Sequence, residues 1–144
     1  MTSEKHESVL DALPFELTEE KKAPLFLKNL LEELAFHYSN NDMYRRFCDK
    51  ENFYPESYEG GLAGIPAIPV HVFKALGHKL SSVNKDLIKG KLQSSATNGA
   101  PSIILLDKIT ARRQTRAMAR VMVEILGARR RPFCVLDIDP SSPN

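Results

Sequence analysis

A run of small and polar residues between two apolar segments has the composition of a phosphate site. Positions 94–102 read SSATNGAPS, so that Ser94, Ser95 and Thr97 precede Gly99. Small side chains let backbone N–H groups approach an anion closely, and a curved run of such groups forms an anion nest. Hydroxyl groups add neutral donors for phosphate oxygens. The run therefore indicates a phosphate-binding loop, although the same residue types also favour an ordinary turn.

This loop is not a Walker loop. That motif carries a lysine followed by Ser or Thr, and a helix follows it directly. Here the loop lacks lysine and precedes the apolar run IILL at 103–106, which is typical of a buried strand. Partial alternation at 87–94 predicts another strand before the loop. The loop is thus expected to lie between two strands.

A helix and a further strand are predicted after the loop. Thr110 can cap a helix that runs to about Leu126, and Gly127 is well placed to end it. The apolar run at 133–136 predicts a buried strand, and strand, helix and strand at this spacing favour a parallel βαβ unit. A parallel sheet needs both faces covered. We therefore expect a truncated piece of a larger α/β enzyme, or a module that completes its sheet with a partner.

The first half of the sequence predicts a helical hairpin. Apolar residues at i, i+3 and i+4 across 27–38 predict one helix, and 42–50 predicts a second. The residues between them, SNN, break the pattern, so that the two helices should pair. The first helix could begin after Thr18, a possible cap, or at Pro24, which suits a first turn.

Prolines and glycines at 51–69 predict an extended loop, and a short element follows at 70–76. We divide the chain into 1–85, a helical and loop region, and 86–144, a phosphate-loop hairpin with the βαβ unit. The predicted fold class is α/β: a helical hairpin followed by the first strands of a larger, incomplete domain.

The charge of the 144 residues is unevenly distributed. Residues 1–60 carry 7 basic and 13 acidic side chains, net −6, and residues 61–144 carry 13 basic and 5 acidic ones, net +8. A basic half suits a nucleotide, and it also suits nucleic acid. Arginines recur at 112, 113, 116 and 120, but no aromatic residues interleave for base stacking. A solvated helix face is the favoured interpretation, and we expect no nucleic-acid partner.

Other features narrow the class of protein. Cys48 and Cys134 form neither a metal pattern nor a disulfide framework, and we expect two partly buried thiols. No apolar run approaches the roughly 20 residues needed to span a bilayer, and the first residues lack a signal-peptide core. We expect a cytoplasmic protein without a membrane partner or a resident metal.

Two motifs carry a family resemblance. The block LQSSATNGAPSIILLD at 92–107 resembles the phosphate-loop block of LuxE-type acyl-protein synthetases, SSGT[ST]GxPS followed by an apolar strand and an aspartate. Upstream, IPAIPVHVFK at 65–74 is similar to the family segment IPx[IL]PVx[LV]FK. The motifs occur in the family's order, and the likeness covers roughly residues 20–140.

The resemblance implies an adenylate-forming fold and an ATP-dependent ligase. Fatty acid and ATP would give acyl-AMP, and the acyl group would pass to an enzyme cysteine and then to a reductase partner. ATP and Mg²⁺ are the implied cofactors. No catalytic residue is assigned. The implied phosphate-binding residues are Ser94, Ser95, Thr97, Asn98 and Gly99. The family's nucleoside-binding segments and acyl-accepting cysteine would lie beyond residue 144, so this piece is expected to be inactive alone.

Two positions depart from the family pattern. Ala96 replaces a glycine, which costs about 1 kcal/mol or more if that residue needs a positive φ. Asn98 replaces a hydroxyl residue, a milder change because asparagine tolerates the left-handed conformation and donates hydrogen bonds. The alternatives are therefore a pseudoenzyme remnant or non-catalytic interaction module of the same fold and, less favoured, a basic nucleic-acid-binding domain.

Overall fold

A computed structural model of the chain describes residues 10–76, 79–93, 101, 103–132 and 134. Three helices, a two-stranded hairpin and a long helix follow one another. They are α1 (Glu19–Asn40), α2 (Asp42–Lys50), α3 (Val70–Leu76), β1 (Ile88–Gln93), β2 (Ile103–Asp107) and α4 (Lys108–Leu126). Single 3-10 turns lie at Pro55–Ser57, Leu62–Gly64 and Lys85–Leu87. This mixture of helix and sheet is compatible with the expected α/β class.

The first two helices form the predicted hairpin. Helix α1 begins directly after Thr18, so that Pro24 lies inside the helix and not in its first turn. The acidic side chains of Glu19 and Glu20 complement the positive end of the helix dipole. Between the helices, the Asn41 side chain accepts a hydrogen bond from Tyr44 N at 2.9 Å and caps α2. The predicted break is therefore a helix cap as well.

The core lies where the loop after α2 folds back on the helical hairpin. Tyr44, Cys48 and Phe53 are its buried members. Partly buried side chains surround them, namely Leu31, Leu34, Tyr38, Phe47, Tyr58, Ile65 and Ile68. The loop predicted at 51–69 contains no α-helix but two 3-10 turns, and it packs Phe53, Tyr58, Ile65 and Ile68 on the helices. The IPAIP motif contributes Ile65 and Ile68 to this packing, and helix α3 starts immediately after it.

Tyr58 closes this loop on itself. Its hydroxyl donates to the carbonyl oxygen of Gly61 at 2.7 Å, and its ring meets Phe53 edge-on at 5.1 Å between centroids. A Cβ atom at Gly60 or Gly64 would come within 2.4 or 2.3 Å of the Tyr58 hydroxyl. Glycine at both positions therefore leaves room for the ring.

The two strands pair antiparallel, with Gln93 opposite Ile103 and Ile88 opposite Asp107. The register is irregular between Ile88 and Gly90, which increases the local twist. The predicted strand at 133–136 falls mainly outside the described residues, and the parallel βαβ unit stays a prediction.

Helix α4 begins three residues earlier than predicted. Its cap is Asp107, whose Oδ1 accepts from Thr110 N at 2.7 Å, so the assignment of Thr110 as the cap is wrong. A carboxylate three residues before an N–H group reaches it and also faces the positive end of the helix dipole. Gly127 ends the helix with φ of 78°, as predicted.

The two cysteines differ in their surroundings. Cys48 is fully buried in the core, whereas Cys134 is exposed, so the expectation of partial burial is wrong for Cys134. Within the part of the chain described, no helix is both long and apolar enough to cross a bilayer.

Replacing Phe53 with alanine should lower the free energy of unfolding by about 3 kcal/mol or more, because a buried aromatic ring is lost and a cavity remains. Urea denaturation measures this change. Phe26→Ala, which removes an exposed ring from α1, is the matched control and should stay within about 0.5 kcal/mol of the parent. Equal losses in the two variants would contradict the placement of the core.

Candidate phosphate-binding hairpin

Strands β1 and β2 bracket the loop predicted to bind phosphate. Strand β1 ends at Gln93 and β2 begins at Ile103, and these two residues pair directly. The implied phosphate-binding residues, Ser94, Ser95, Thr97, Asn98 and Gly99, lie outside the described residues. The structure thus describes the frame of the loop: its two ends are adjacent and belong to one antiparallel pair.

The strand that leads into the loop is exposed and basic. Every residue of β1 after Ile88 is exposed, including Lys89 and Lys91. Lys91 lies opposite Leu105 and shares a face of the hairpin with Gln93, at the base of the loop. Positive charge at this place favours an anionic ligand. Sequence reasoning treated these lysines only as part of the basic half.

A polar contact fixes the chain before it enters β1. The side-chain Nδ2 of Asn41 donates to the backbone carbonyl oxygens of Lys79 and Ser81, each at 3.1 Å. His37 Nδ1 and Ser82 Oγ share a hydrogen bond of 2.6 Å. The segment before the hairpin is therefore held at the junction of α1 and α2, and this junction sets where β1 starts.

The imidazole of His37 lies in a partly buried aromatic setting. Its ring meets Phe36 and Tyr44 edge-on, at centroid distances of 5.8 and 6.1 Å. Burial lowers the pKa of His37 below 6.5, and the nearby Glu33 carboxylate opposes that shift. His37 is therefore a neutral hydrogen-bonding group at neutral pH.

The arginines of α4 contact acidic groups of the N-terminal region. Arg113 Nη1 lies 3.2 Å from Glu33 Oε1 on α1. Arg116 forms an ion pair with Asp11, and Arg120 Nη2 donates to the Asp11 carbonyl oxygen at 3.0 Å. The interpretation of this face as merely solvated is therefore wrong for these three side chains, because they attach α4 to the helical region.

A cleft of about 620 Å³ lies between α1 and the start of α4. Apolar and charged groups both line it, among them Leu31, Glu33, Phe36, Tyr58, Ile109 and Arg113. It lies at the Asp107 end of β2, whereas the loop is at the Ile103 end.

The buried core holds no reactive thiolate. Burial is the main cause that raises the pKa of Cys48, and burial also raises the pKa of Tyr44. Cys48 thus remains a neutral thiol without solvent access. No cluster of three or more His, Cys, Asp or Glu suited to a metal ion occurs among the described residues.

Comparison with known proteins decides the family. Residues 1–144 match the family model of the acyl-protein synthetase LuxE. The chain belongs to this family. The chain is 35% identical over 78 residues to a long-chain-fatty-acid–luciferin-component ligase of Vibrio harveyi, a match that covers 54% of this chain and 20% of that protein. It is 29% identical over 112 residues to the ligase of the same name from Aliivibrio fischeri, covering 78% of this chain and 29% of that protein.

The chain spans only between a fifth and three-tenths of the length of these two ligases. No solved structure matches the chain significantly. Family membership confirms the resemblance carried by the two motifs. The aspartate that follows the apolar strand in the family motif is Asp107 in this chain, and the structure shows that it caps α4.

Removing the cap should destabilise the hairpin–helix junction. Asp107→Ala should lower the free energy of unfolding by about 1 kcal/mol, because Thr110 N loses its acceptor. Asp107→Asn retains an acceptor oxygen and should lower the free energy of unfolding by only a few tenths of that amount. Urea midpoints measure both variants, and an equal loss in the two would argue against the cap.

Stability should depend on pH through His37. The pKa of His37 is lower in the folded chain than in the unfolded chain, so the unfolded chain binds a proton at a higher pH than the folded chain does. The free energy of unfolding therefore falls as the pH drops below about 6.5. His37→Gln should remove this part of the slope in urea midpoints measured from pH 7.5 to pH 5. Ser82→Ala keeps the imidazole and should retain the slope. A His37→Gln variant with the parent's slope would contradict the assignment.

Proposed function

We propose that this chain supplies the phosphate-binding portion of an ATP-dependent acyl-protein synthetase that activates a fatty acid as acyl-AMP. The observation that carries the proposal is the antiparallel hairpin around positions 94–102 in a chain of the LuxE family. The names of the two relatives support a long-chain fatty acid as the substrate. In this scheme 1–85 is the supporting region and 86–144 the phosphate-binding region.

The phosphates of ATP would be held by donors of the loop. Ser94, Ser95 and Thr97 would supply hydroxyl groups, and the backbone N–H groups around Asn98 and Gly99 would complete the nest. These donors act on the charge that develops on the leaving pyrophosphate and fix the in-line geometry of attack. Their contribution is electrostatic, and it requires no acid or base from the loop.

The surroundings fit a triphosphate with Mg²⁺. Lys89 and Lys91 are exposed on the strand next to the loop and add positive charge. The described residues contain no cluster of carboxylates for a resident metal. Mg²⁺ bound to the nucleotide would share the phosphate charge.

The later steps need groups beyond this site. The acyl group would pass from acyl-AMP to a thiolate of the synthetase, with release of AMP, and then from this thioester to a reductase-type partner. Cys48 does not suit this role, because its thiol is neutral and fully buried. We propose that the chain alone binds ATP but releases no pyrophosphate with ATP and fatty acid, because it matches at most 29% of the length of either relative.

A pseudoenzyme or interaction module of the same family is the second candidate. Ala96 favours it, because alanine at a position that is glycine in the family motif would strain the loop if the residue needs a positive φ. Binding of a reductase-type protein without ATP binding would support this candidate.

Addition of ATP and Mg²⁺ should slow amide hydrogen exchange at 94–99. Thr97→Ala should weaken ATP binding about tenfold, because a hydrogen bond to a charged group contributes about 1.5–3 kcal/mol. Ala96→Gly should strengthen binding by relieving backbone strain. Ser57→Ala, at an exposed position of the turn at Pro55–Ser57, is the control and should bind as the parent does.

Unchanged exchange of the loop at saturating ATP would refute the proposed function. Binding to DNA that weakens steeply as salt increases would then favour the nucleic-acid alternative.

A further inference from the structure

Helix α4 turns an apolar stripe outwards. Met118, Met122 and Ile125 lie at i, i+4 and i+7, and therefore on one side of the helix. Their side chains are 61%, 37% and 63% exposed. We call these three residues the outer stripe. The sequence spacing predicts a wider apolar stripe of Ala117, Met118, Val121, Met122, Ile125 and Leu126, and such a stripe normally packs against a core.

On another side of α4, charged side chains face the rest of the molecule. Arg113, Arg116 and Arg120 contact Glu33 and Asp11, and all three arginines are partly buried. Partly exposed ion pairs of this kind contribute at most about 1 kcal/mol each. These ion pairs hold one side of α4 against the helical region, whereas the three side chains of the outer stripe are exposed.

The β-hairpin also has exposed apolar side chains. Leu92 and Ile104 are directly paired across the strands and are 42% and 55% exposed, whereas Leu106 farther along the same face is only 9% exposed. The apolar face of the sheet is therefore covered near Asp107 and open towards the loop.

We propose that the outer stripe is the docking surface for a further polypeptide segment of an acyl-protein synthetase, the part of the family's sequence outside the region that this chain matches. The relatives supply the argument for this occupant, because at most 29% of either relative's length is matched by the chain. Interfaces between permanently associated segments are hydrophobic and resemble a divided core, and the outer stripe is uncharged. The inference rests on family membership and is independent of the ATP chemistry proposed above.

The probe is a purified polypeptide that contains the part of the Aliivibrio fischeri ligase outside its 112 matched residues. Titration calorimetry with the 144-residue chain should give a saturable complex. Met118→Asp should weaken this complex at least tenfold, because the interface would bury an unpaired carboxylate. Ala119→Asp adds the same charge about 100° around the same helix, at another exposed position, and should change the affinity less than twofold.

Absence of a complex with the parent chain, or equal weakening by the two variants, would overturn the proposal. A dimer of the chain alone in sedimentation, dissociated by Met118→Asp, would also overturn it, because the occupant would then be a second copy. Exchange of the 94–99 loop with ATP is measured separately. Loss of complex formation with retained ATP protection would reject the docking surface and leave the proposed function in place.

Discussion

The buried side chain of Asn41 is the constraint on which much of this structure depends. Its oxygen caps α2, and its nitrogen holds two carbonyl groups of the segment that precedes β1. A buried amide with both ends satisfied adds stability, whereas one left without partners costs about 1–3 kcal/mol. One residue therefore sets both the turn of the helical hairpin and the position of the chain before the strands. The phosphate-binding role we propose for the loop depends on this fixed approach.

The apolar core and the β-hairpin lie in different parts of the chain. The apolar core is confined to the helical hairpin and the loop that folds back on it. The β-hairpin contributes one buried residue, Leu106, and its β1 strand is exposed. The packed helical region thus carries a hairpin with an exposed β1 strand, an arrangement that suits the phosphate-binding role we propose. Family membership places this arrangement among the acyl-protein synthetases.

Local patterns predicted the elements well. The helix at 42–50 and the strands on either side of the loop were predicted to within a few residues, and the short element predicted at 70–76 is a helix. Spacing predicted the first helix over 27–38 with two possible starts, and the structure extends it to 19–40. The cap of α4 was assigned wrongly because Asp107 and Thr110 are both competent, and only geometry distinguishes them. The loop residues were found through the family motif and not through periodicity, and their placement stays a prediction.

Long-range contacts account for the other differences. The partners of Asn41 lie about 40 residues away, so its second role leaves no local signal. The orientation of α4 depends on Asp11, more than 100 residues distant in sequence. Periodicity predicted an apolar stripe on α4, but the ion pairs of its arginines with distant acidic groups left no local signal.

The contrast between the two cysteines has a practical consequence. Cys48 is sealed in the core as a neutral thiol, whereas Cys134 is exposed a few residues after the end of α4. Maleimide reagents, which react with accessible thiolates, therefore modify the native chain at one position. A fluorophore or spin label at Cys134 reports on the region beyond the long helix without any engineered substitution.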